Sequence, residues 1–201
     1  MNKIKPLLNN LIIATKNDGK LQEMIVSLSD IIPSILTHKN VNWDTPEETG
    51  QSFAENSIIK ARHVAITTGF PALADDSGLC IEKLNDAPNI FSARLAEEHQ
   101  GFDGAIAQLN KELKGQASRA KFISVLCLYL PDGTHYEFSG TLYGNIKFPP
   151  QGPTIGYESI FIPDGYDTAL SALAPSIRGK IHYRTLAIEK FKAFIKNDFY
   201  Q

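Results

Sequence analysis

Apolar positions near the start of the chain change their spacing from one segment to the next. Residues 11–15 are nearly all apolar, which predicts a short buried strand. Residues 20–31 carry apolar side chains at helical spacing, and Pro33 ends this predicted helix. A second short strand is expected at 35–39, so the first elements are predicted to be strand, helix and strand.

A capping pattern marks the next helix. Ser52 and Glu55 form an S-x-x-E box, which predicts a helix start, and Gly69 predicts its end. At a turn of 100° per residue, the small and apolar residues of this helix share one face. Asn56 and Lys60 project from the opposite face, which we expect to point outward.

The middle and the end of the chain are predicted to contain more strands. We expect two short strands at 72–74 and 79–82, joined by a tight acidic corner, Asp75-Asp76-Ser77-Gly78. Pro131-Asp132-Gly133 is typical of a hairpin turn. The other expected elements are a helix at 102–114, strands at 120–130 and 135–142 with a continuation to 148, a loop-rich stretch at 149–179, and a last helix from about 181. This order predicts an α/β protein with a mixed sheet and helices packed on it.

The composition narrows the classes of protein. The 201 residues suffice for one domain, apolar residues make up 43%, and the formal charge is −2, which excludes a disordered chain and a basic surface for nucleic acid. The longest apolar stretch, 122–130, is far shorter than the roughly 20 residues of a membrane span. Residues 1–16 lack the pattern of a signal peptide. Cys80 and Cys127 lie in apolar runs, so we expect free, buried thiols in a protein of the reducing cytoplasm.

A polar corner between the first strand and the first helix is the first candidate for chemistry. Backbone N–H groups at a helix N-terminus attract anions, and a lysine in the first turn adds a positive charge. The corner comprises Thr15, Lys16, Asn17, Asp18, Gly19 and Lys20. It lacks the first glycine and the Ser or Thr of a Walker A loop, and taken alone it is more typical of an ordinary strand-to-helix turn.

Two acidic segments could hold a divalent cation. Asp75 and Asp76 are hard oxygen ligands suited to Mg²⁺, and one of them could polarise a water molecule. Glu48 precedes the capped helix, so it could share the cation with Asp76 while Lys60 meets a phosphate. The alternatives are a solvated acidic turn and a solvent-facing lysine, and these residues alone do not exclude them.

Two late segments combine aromatic and basic residues. Tyr157 and Tyr183 could stack on a base, and Arg178 or Arg184 could bind a carbonyl or a phosphate. Packing within turns and capping of the last helix explain the same residues equally well.

In this order, the segments resemble those of the inosine triphosphate pyrophosphatase family, the non-standard purine nucleoside triphosphate pyrophosphatases. The resemblance covers about residues 11–191. It rests on IIATKNDGK (12–20), EETGQSFAENSIIKAR (47–62), PALADDSGL (71–79), APNIFSARLA (87–96), FIPDGY (161–166) and the arginine-rich turn at 178–184. The combination of EETG, the F-x-E-N-x-x-x-K-A-R helix and A-D-D-S-G-L at this spacing is highly specific.

The resemblance implies an activity as well as a fold. It implies an elongated mixed α/β sheet with flanking helices, forming a single two-lobed domain over 1–201 around a central cleft, in a homodimer. The implied reaction is Mg²⁺-dependent hydrolysis of a nucleoside triphosphate to the monophosphate and pyrophosphate. Residues 15–20 would bind the triphosphate, Asn56 and Lys60 would face the phosphates, and Ser77 would contact the substrate. Glu48 and Asp76 would be the metal ligands, and Asp76 would also be the general base.

The segments that would read the base depart from the family pattern. The family usually has F-G-Y/W-D-P where this chain has Ile155, Gly156, Tyr157, Glu158 and Ser159. At the four fixed positions of the usual K-x-x-x-S-H-R pattern, this chain has Arg178, His182, Tyr183 and Arg184. Loss of a stacking ring costs on the order of 1–3 kcal/mol of base binding. Three hypotheses follow: hydrolysis of inosine, deoxyinosine and xanthosine triphosphates, the same chemistry on another base, or nucleotide binding with little turnover.

Overall fold

A computed structural model describes residues 8–199 of the chain. Its centre is a six-stranded sheet with the strand order β2-β1-β3-β4-β5-β6. The strands are β1 (Asn10–Ile13), β2 (Ser34–Leu36), β3 (Ala72–Ile81), β4 (Ser118–Tyr129), β5 (His135–Ile146) and β6 (Phe161–Pro163). Strand β1 is parallel to β2 and β3, whereas β5 and β6 are antiparallel, so the predicted mixed sheet is confirmed.

Within residues 8–199, six α-helices flank this sheet. They are α1 (Asp18–Leu28), α2 (Phe53–Thr68), α3 (Ser92–Glu98), α4 (Phe102–Glu112), α5 (Pro175–Ile181) and α6 (Tyr183–Phe194). The predicted helix start is confirmed: the Ser52 hydroxyl accepts a hydrogen bond from the Glu55 N–H at 3.1 Å, and the Glu55 carboxylate accepts one from the Gln51 N–H at 2.7 Å. Gly69, with φ of +73°, ends α2 in the left-handed conformation that glycine adopts without strain.

The expected acidic corner is wrong. Strand β3 runs unbroken from Ala72 to Ile81, and residues 75–78 belong to it. Gly78 has no left-handed backbone and makes no turn. Because side chains alternate along a strand, Asp75 and Asp76 point to opposite faces of the sheet. The 149–179 stretch also contains β6 and the start of α5, and α3 was not predicted.

The described chain divides into two compact units. The first comprises the chain up to Asp76, Ser124–Gly140 and the chain from Thr185, and the second comprises Ser77–Ile123 and Thr141–Arg184. In the first unit, one apolar cluster contains side chains of α1 and α6, and another contains side chains of α2. Strand residues alternate between these clusters, so helices cover both faces of the sheet here.

The second unit has an apolar cluster of its own. Leu79 and Ile81 of β3 pack there with α4 and with the aromatic rings of Phe122 and Phe161. These two rings lie 4.8 Å apart between centroids. The cluster supports the segments around residues 155–158 and 178–184.

Three expectations from the composition concern the cysteines, membrane-spanning segments and a signal peptide. Cys80 and Cys127 are free and buried, as predicted. Within residues 8–199 no helix is long and apolar enough to cross a membrane. The signal-peptide expectation concerns residues 1–16, of which the first seven lie outside the described residues.

Candidate active site

The polar corner before α1 is held by its own side chains. Asn17 caps the helix by accepting a hydrogen bond from the Lys20 N–H at 3.0 Å. Thr15 accepts one from the Asn17 N–H at 3.2 Å. The N–H groups of Asp18 and Gly19 lie in the first helical turn, where no intrahelical acceptor exists. The corner is exposed from Lys16 to Gly19, as an anion-binding turn requires.

Asp75 links this corner to the sheet. Its carboxylate lies 2.7 Å from the Lys20 ammonium and accepts a hydrogen bond from the Ser124 hydroxyl at 2.5 Å. The Asp75 side chain is fully buried, whereas the Lys20 side chain is 23% exposed. The positive end of Lys20 is therefore anchored on one side and accessible on the other.

Asp76 faces α2 on the other side of the sheet. The Lys60 ammonium lies 2.8 Å from Asp76 Oδ1 and 3.2 Å from Glu48 Oε1. Two carboxylates from distant parts of the sequence thus meet at one cation. The other Asp76 oxygen, Oδ2, is buried and has no hydrogen-bond partner among the described residues.

Burial and the neighbouring charges shift the pKa values of Asp76 and Lys60 in opposite directions. Burial raises the pKa of Asp76, and the attraction of Lys60 offsets only part of that effect. Burial alone would lower the pKa of Lys60, but the attraction of Asp76 and Glu48 outweighs it, so the pKa is raised. Asp76 is therefore a stronger base than an ordinary aspartate, and Lys60 keeps its charge.

Asn56 differs from the expectation of an outward position. Its side chain is buried, and its Oδ1 accepts a hydrogen bond from the Gly50 N–H at 2.9 Å. Lys60, one turn further on, is only partly buried. Asn56 therefore fixes the loop that carries Glu48, because a buried amide oxygen requires a donor.

The second unit contains a buried ionic network around Glu158. Arg178 donates to both carboxylate oxygens, at 2.6 and 3.0 Å. His182 Nδ1 accepts from the Arg184 N–H, so Nε2 carries the proton and donates to Glu158 at 3.1 Å. Burial alone would raise the pKa of Glu158, but the hydrogen bonds from His182 and Arg178 outweigh it, so the pKa is lowered.

For Tyr157 and Tyr183, stacking on a base and packing within the protein were both open, and this structure shows both rings packed in the apolar core. Both residues are buried. Tyr157 packs edge-on against Phe102, and its hydroxyl donates to the Ser92 carbonyl. Tyr183 stacks on Phe122 with centroids 4.7 Å apart. These rings belong to the apolar core because aromatic partners from distant segments cover them.

The remaining predicted contacts have mixed environments. Ile155 is 39% exposed, and its aliphatic side chain has no ring to stack on a base. Gly156 has a left-handed backbone with φ of +56°. Arg184 is buried, and its guanidinium donates to the Ser77 hydroxyl at 3.1 Å. This hydrogen bond holds the Ser77 hydroxyl in a fixed orientation.

The sequence matches one family over nearly its whole length. The model of the Ham1 family matches residues 11–194. The chain belongs to the Ham1 family. It is 38% identical over 188 residues to the dITP/XTP pyrophosphatase of Zymomonas mobilis, with 91% of this chain and 90% of that protein covered.

Solved structures of Ham1 proteins agree with this fold. The Staphylococcus aureus Ham1 protein matches with a TM-score of 0.84 and 32% identity, over 94% of this chain and 99% of that one. The HAM1 protein of Coxiella burnetii matches with a TM-score of 0.87 and 32% identity, over 94% and 98% of the two chains. The mixed α/β fold expected from the sequence is therefore the fold of the Ham1 family.

The donor set in this Ham1-family chain fits a magnesium ion. Within residues 8–199 no group of three or more His, Cys, Asp and Glu side chains converges. Mg²⁺ needs fewer, because it is usually held by one or two carboxylates together with substrate phosphates and water. Glu48 and Asp76 supply two carboxylates close enough together to share one cation, since both contact the Lys60 ammonium.

Some residues of this site have no signal in the sequence. Ser124 lies in an apolar strand, 49 positions from the Asp75 carboxylate that it contacts. Phe102 and Phe122 look like ordinary core residues until their contacts with Tyr157 and Tyr183 are known. Only the alternation along β4, which places Ser124 on the same face as Leu126, could have indicated its direction.

Proposed function

We propose that this protein hydrolyses inosine, deoxyinosine and xanthosine triphosphates to the monophosphate and pyrophosphate, with Mg²⁺ as cofactor. As a member of the Ham1 family with relatives named dITP/XTP pyrophosphatase, the chain is a hydrolase of non-canonical purine nucleotides. One observation carries the finer proposal: Glu48 and Asp76 share the Lys60 ammonium, and Asp76 keeps a buried oxygen without a partner.

Glu48 and Asp76 are the residues that would hold the metal. When bound, Mg²⁺ would offset phosphate charge and lower the pKa of a coordinated water. Lys60 remains close enough to both carboxylates to keep them together, because its ammonium contacts each of them.

Asp76 is the proposed general base. Its raised pKa strengthens its affinity for a proton, and general bases work best when their pKa approaches the working pH. Asp76 Oδ2 takes the proton from the attacking water while the new bond forms between the water oxygen and the α-phosphorus. The bond from that phosphorus to the bridging oxygen breaks, and pyrophosphate leaves with the bonding electrons.

The polar corner is the proposed triphosphate site. The N–H groups of Asp18 and Gly19 and the ammonium groups of Lys20 and Lys60 would offset the charge that develops on the leaving pyrophosphate. Asn17 and Thr15 hold the turn, because their side-chain oxygens accept hydrogen bonds within it. No covalent intermediate is needed, since this chemistry depends mainly on positioning and electrostatics.

Two side chains are proposed to contact the base. Arg178, whose side chain is 24% exposed, and the exposed Ile155 are the candidates for direct contact. Glu158 has both oxygens occupied by Arg178 and His182, so we assign it to holding Arg178 in place. This arrangement also favours a second candidate function, the same hydrolysis with a different base preference.

A panel of triphosphates tests the proposal. Pyrophosphate release from inosine, deoxyinosine, xanthosine and the standard triphosphates should be measured with and without Mg²⁺. The proposal predicts the highest kcat/KM for the inosine, deoxyinosine and xanthosine triphosphates, and loss of this activity when Mg²⁺ is chelated. Another best substrate supports the second candidate, and tight binding without pyrophosphate release would leave only a nucleotide-binding role.

A homodimer and a cytoplasmic location belong to the same proposal, and the molar mass in solution tests the first of these.

A further inference from the structure

We propose that Ser124 is a positioning residue that fixes Asp75 and, through Asp75, the ammonium of Lys20. This inference rests on the proposed function in one respect: the Lys20 ammonium must contact the phosphates of the substrate. Three side chains from β4, β3 and α1 form one chain of contacts in the first unit. Ser124 donates to Asp75 Oδ1 at 2.5 Å, and Asp75 Oδ2 lies 2.7 Å from Lys20 Nζ.

The alternation of the strands explains why these three residues meet. Leu73 of β3 and Leu126 of β4 pack in the cluster that contains α1. Asp75 and Ser124 are each two residues away from one of these leucines, so they face the same side. Lys20 lies in the first turn of α1, above that face. Asp76 faces α2 instead, so the two adjacent aspartates serve different lysines.

The burial of Asp75 makes the serine contact important. The carboxylate is fully buried, and a buried charge is costly unless hydrogen bonds and a counter-charge compensate it. Loss of the Ser124 donor would leave Oδ1 short of one hydrogen bond and let the carboxylate rotate. Lys20 would follow, because its ammonium is paired with the other oxygen.

The exposed side of Lys20 is what a substrate would meet. A lysine ammonium has three N–H donors, so the contact with Asp75 leaves donors for phosphate oxygens. The side chain is 23% exposed, and it lies in the same turn as the N–H groups of Asp18 and Gly19. Ser124 therefore affects phosphate binding without touching the substrate.

Ser124→Ala tests this role, with Ser118→Ala as the matched control. Ser118 is a buried serine on the same strand, and its hydroxyl accepts a hydrogen bond from the Lys83 N–H at 3.1 Å, away from any proposed site residue. For Ser124→Ala we expect a rise of about tenfold in KM for inosine triphosphate and in the dissociation constant of inorganic pyrophosphate with Mg²⁺, because the lost contact involves a charged group. We expect kcat to fall as well, by about threefold, because Lys20 is also proposed to offset the charge that develops on the leaving pyrophosphate. Ser118→Ala should leave all three values unchanged.

A double variant separates positioning from general stability. In a Lys20→Met background, Ser124→Ala should cause no further loss of pyrophosphate affinity, because the group that it positions is absent. Ser124→Cys, which keeps the volume and a weak donor, should give intermediate affinity, and it replaces the alanine variant if that variant does not fold.

Three results would overturn the role of Ser124. They are equal behaviour of Ser124→Ala and Ser118→Ala, an undiminished effect in the Lys20→Met background, and no binding of pyrophosphate to the wild-type protein. Calorimetric binding of pyrophosphate does not need turnover. Failure of the proposed function, in which no triphosphate is hydrolysed, is therefore distinguishable from failure of this inference.

Discussion

Lys60 and Asp76 form an ion pair of 2.8 Å between the middle of α2 and the middle of β3. Glu48 contacts the same ammonium, so one lysine brings together carboxylates that are 28 positions apart in the sequence. A cation already lies between the two carboxylates that are proposed to hold the metal. Lys60 thus keeps two like charges close to each other, which would otherwise repel.

Replacing Lys60 with methionine should destabilise the protein. The variant leaves two mostly buried carboxylates without their shared counter-charge, and loss of one partner of a buried pair costs about 3–5 kcal/mol. Urea unfolding measures the change. Lys121→Met is the matched control, because Lys121 pairs with Asp86 at 3.2 Å with side chains 32% and 48% exposed, and such surface pairs contribute about 0–1 kcal/mol. Equal losses in the two variants would contradict the importance assigned to Lys60.

Gly50 is a second position where the site depends on a close approach. A Cβ atom added there would lie 2.6 Å from Asn56 Oδ1 and 2.7 Å from Glu55 Cβ. Both atoms belong to α2, so in Gly50→Ala the loop that carries Glu48 must move. We expect a loss of about 1–3 kcal/mol in stability from this overpacking, and a fall in kcat/KM because Glu48 leaves Asp76.

Gly179→Ala serves as the control for that substitution. Gly179 lies in α5, and a Cβ atom added there meets nothing within 4 Å. Thermal unfolding and pyrophosphate release should both stay near the wild-type values. If Gly50→Ala behaves like Gly179→Ala in both assays, the loop is not held as described.

Glu158 should make stability depend on pH. Its pKa in the folded protein is lowered from the ordinary value of 4.5. The ionised group therefore stabilises the fold fully above about pH 4.5, and this contribution is lost as the pH falls through the lowered folded pKa. Glu158→Gln should cost about 3 kcal/mol at pH 7, because Arg178 loses its buried partner.

The pH dependence of the unfolding free energy tests the role of Glu158 most directly. The difference in unfolding free energy between wild type and Glu158→Gln should shrink as the pH is lowered below 4.5. Glu112→Gln, which changes an exposed glutamate whose side chain accepts a hydrogen bond from Gln108, should show a small difference at every pH. A constant difference for Glu158→Gln from pH 7 to pH 3 would rule out the ionic network as its cause.

Local signals in the sequence were enough for much of the fold. Ser52 and Gly69 mark the ends of α2 because capping depends on neighbouring residues. The hairpin at Pro131–Gly133 follows from turn chemistry, and its Leu130 N–H bonds to Thr134 as a short hairpin requires. Such features depend on a few adjacent residues, so one sequence reveals them.

Long-range contacts decided the features that were predicted wrongly. Asp75 and Asp76 look like a solvated turn, yet Lys20, Ser124 and Lys60 compensate their charges and let the strand continue through them. Asn56 was expected to point outward, but the Gly50 N–H supplies a buried partner. A sequence of one protein contains no direct signal for such pairings.

The central claim is that Asp76 activates the attacking water. Pyrophosphate release from inosine triphosphate with Mg²⁺ should therefore be compared for wild type, Asp76→Asn and Asp30→Asn, with thermal unfolding of each. Asp76→Asn removes the proton acceptor with little change in size, so kcat should fall by about 10²–10⁴-fold in a protein that remains folded, while Asp30→Asn should match wild type. A folded Asp76→Asn variant with kcat within about twofold of wild type would contradict the claim.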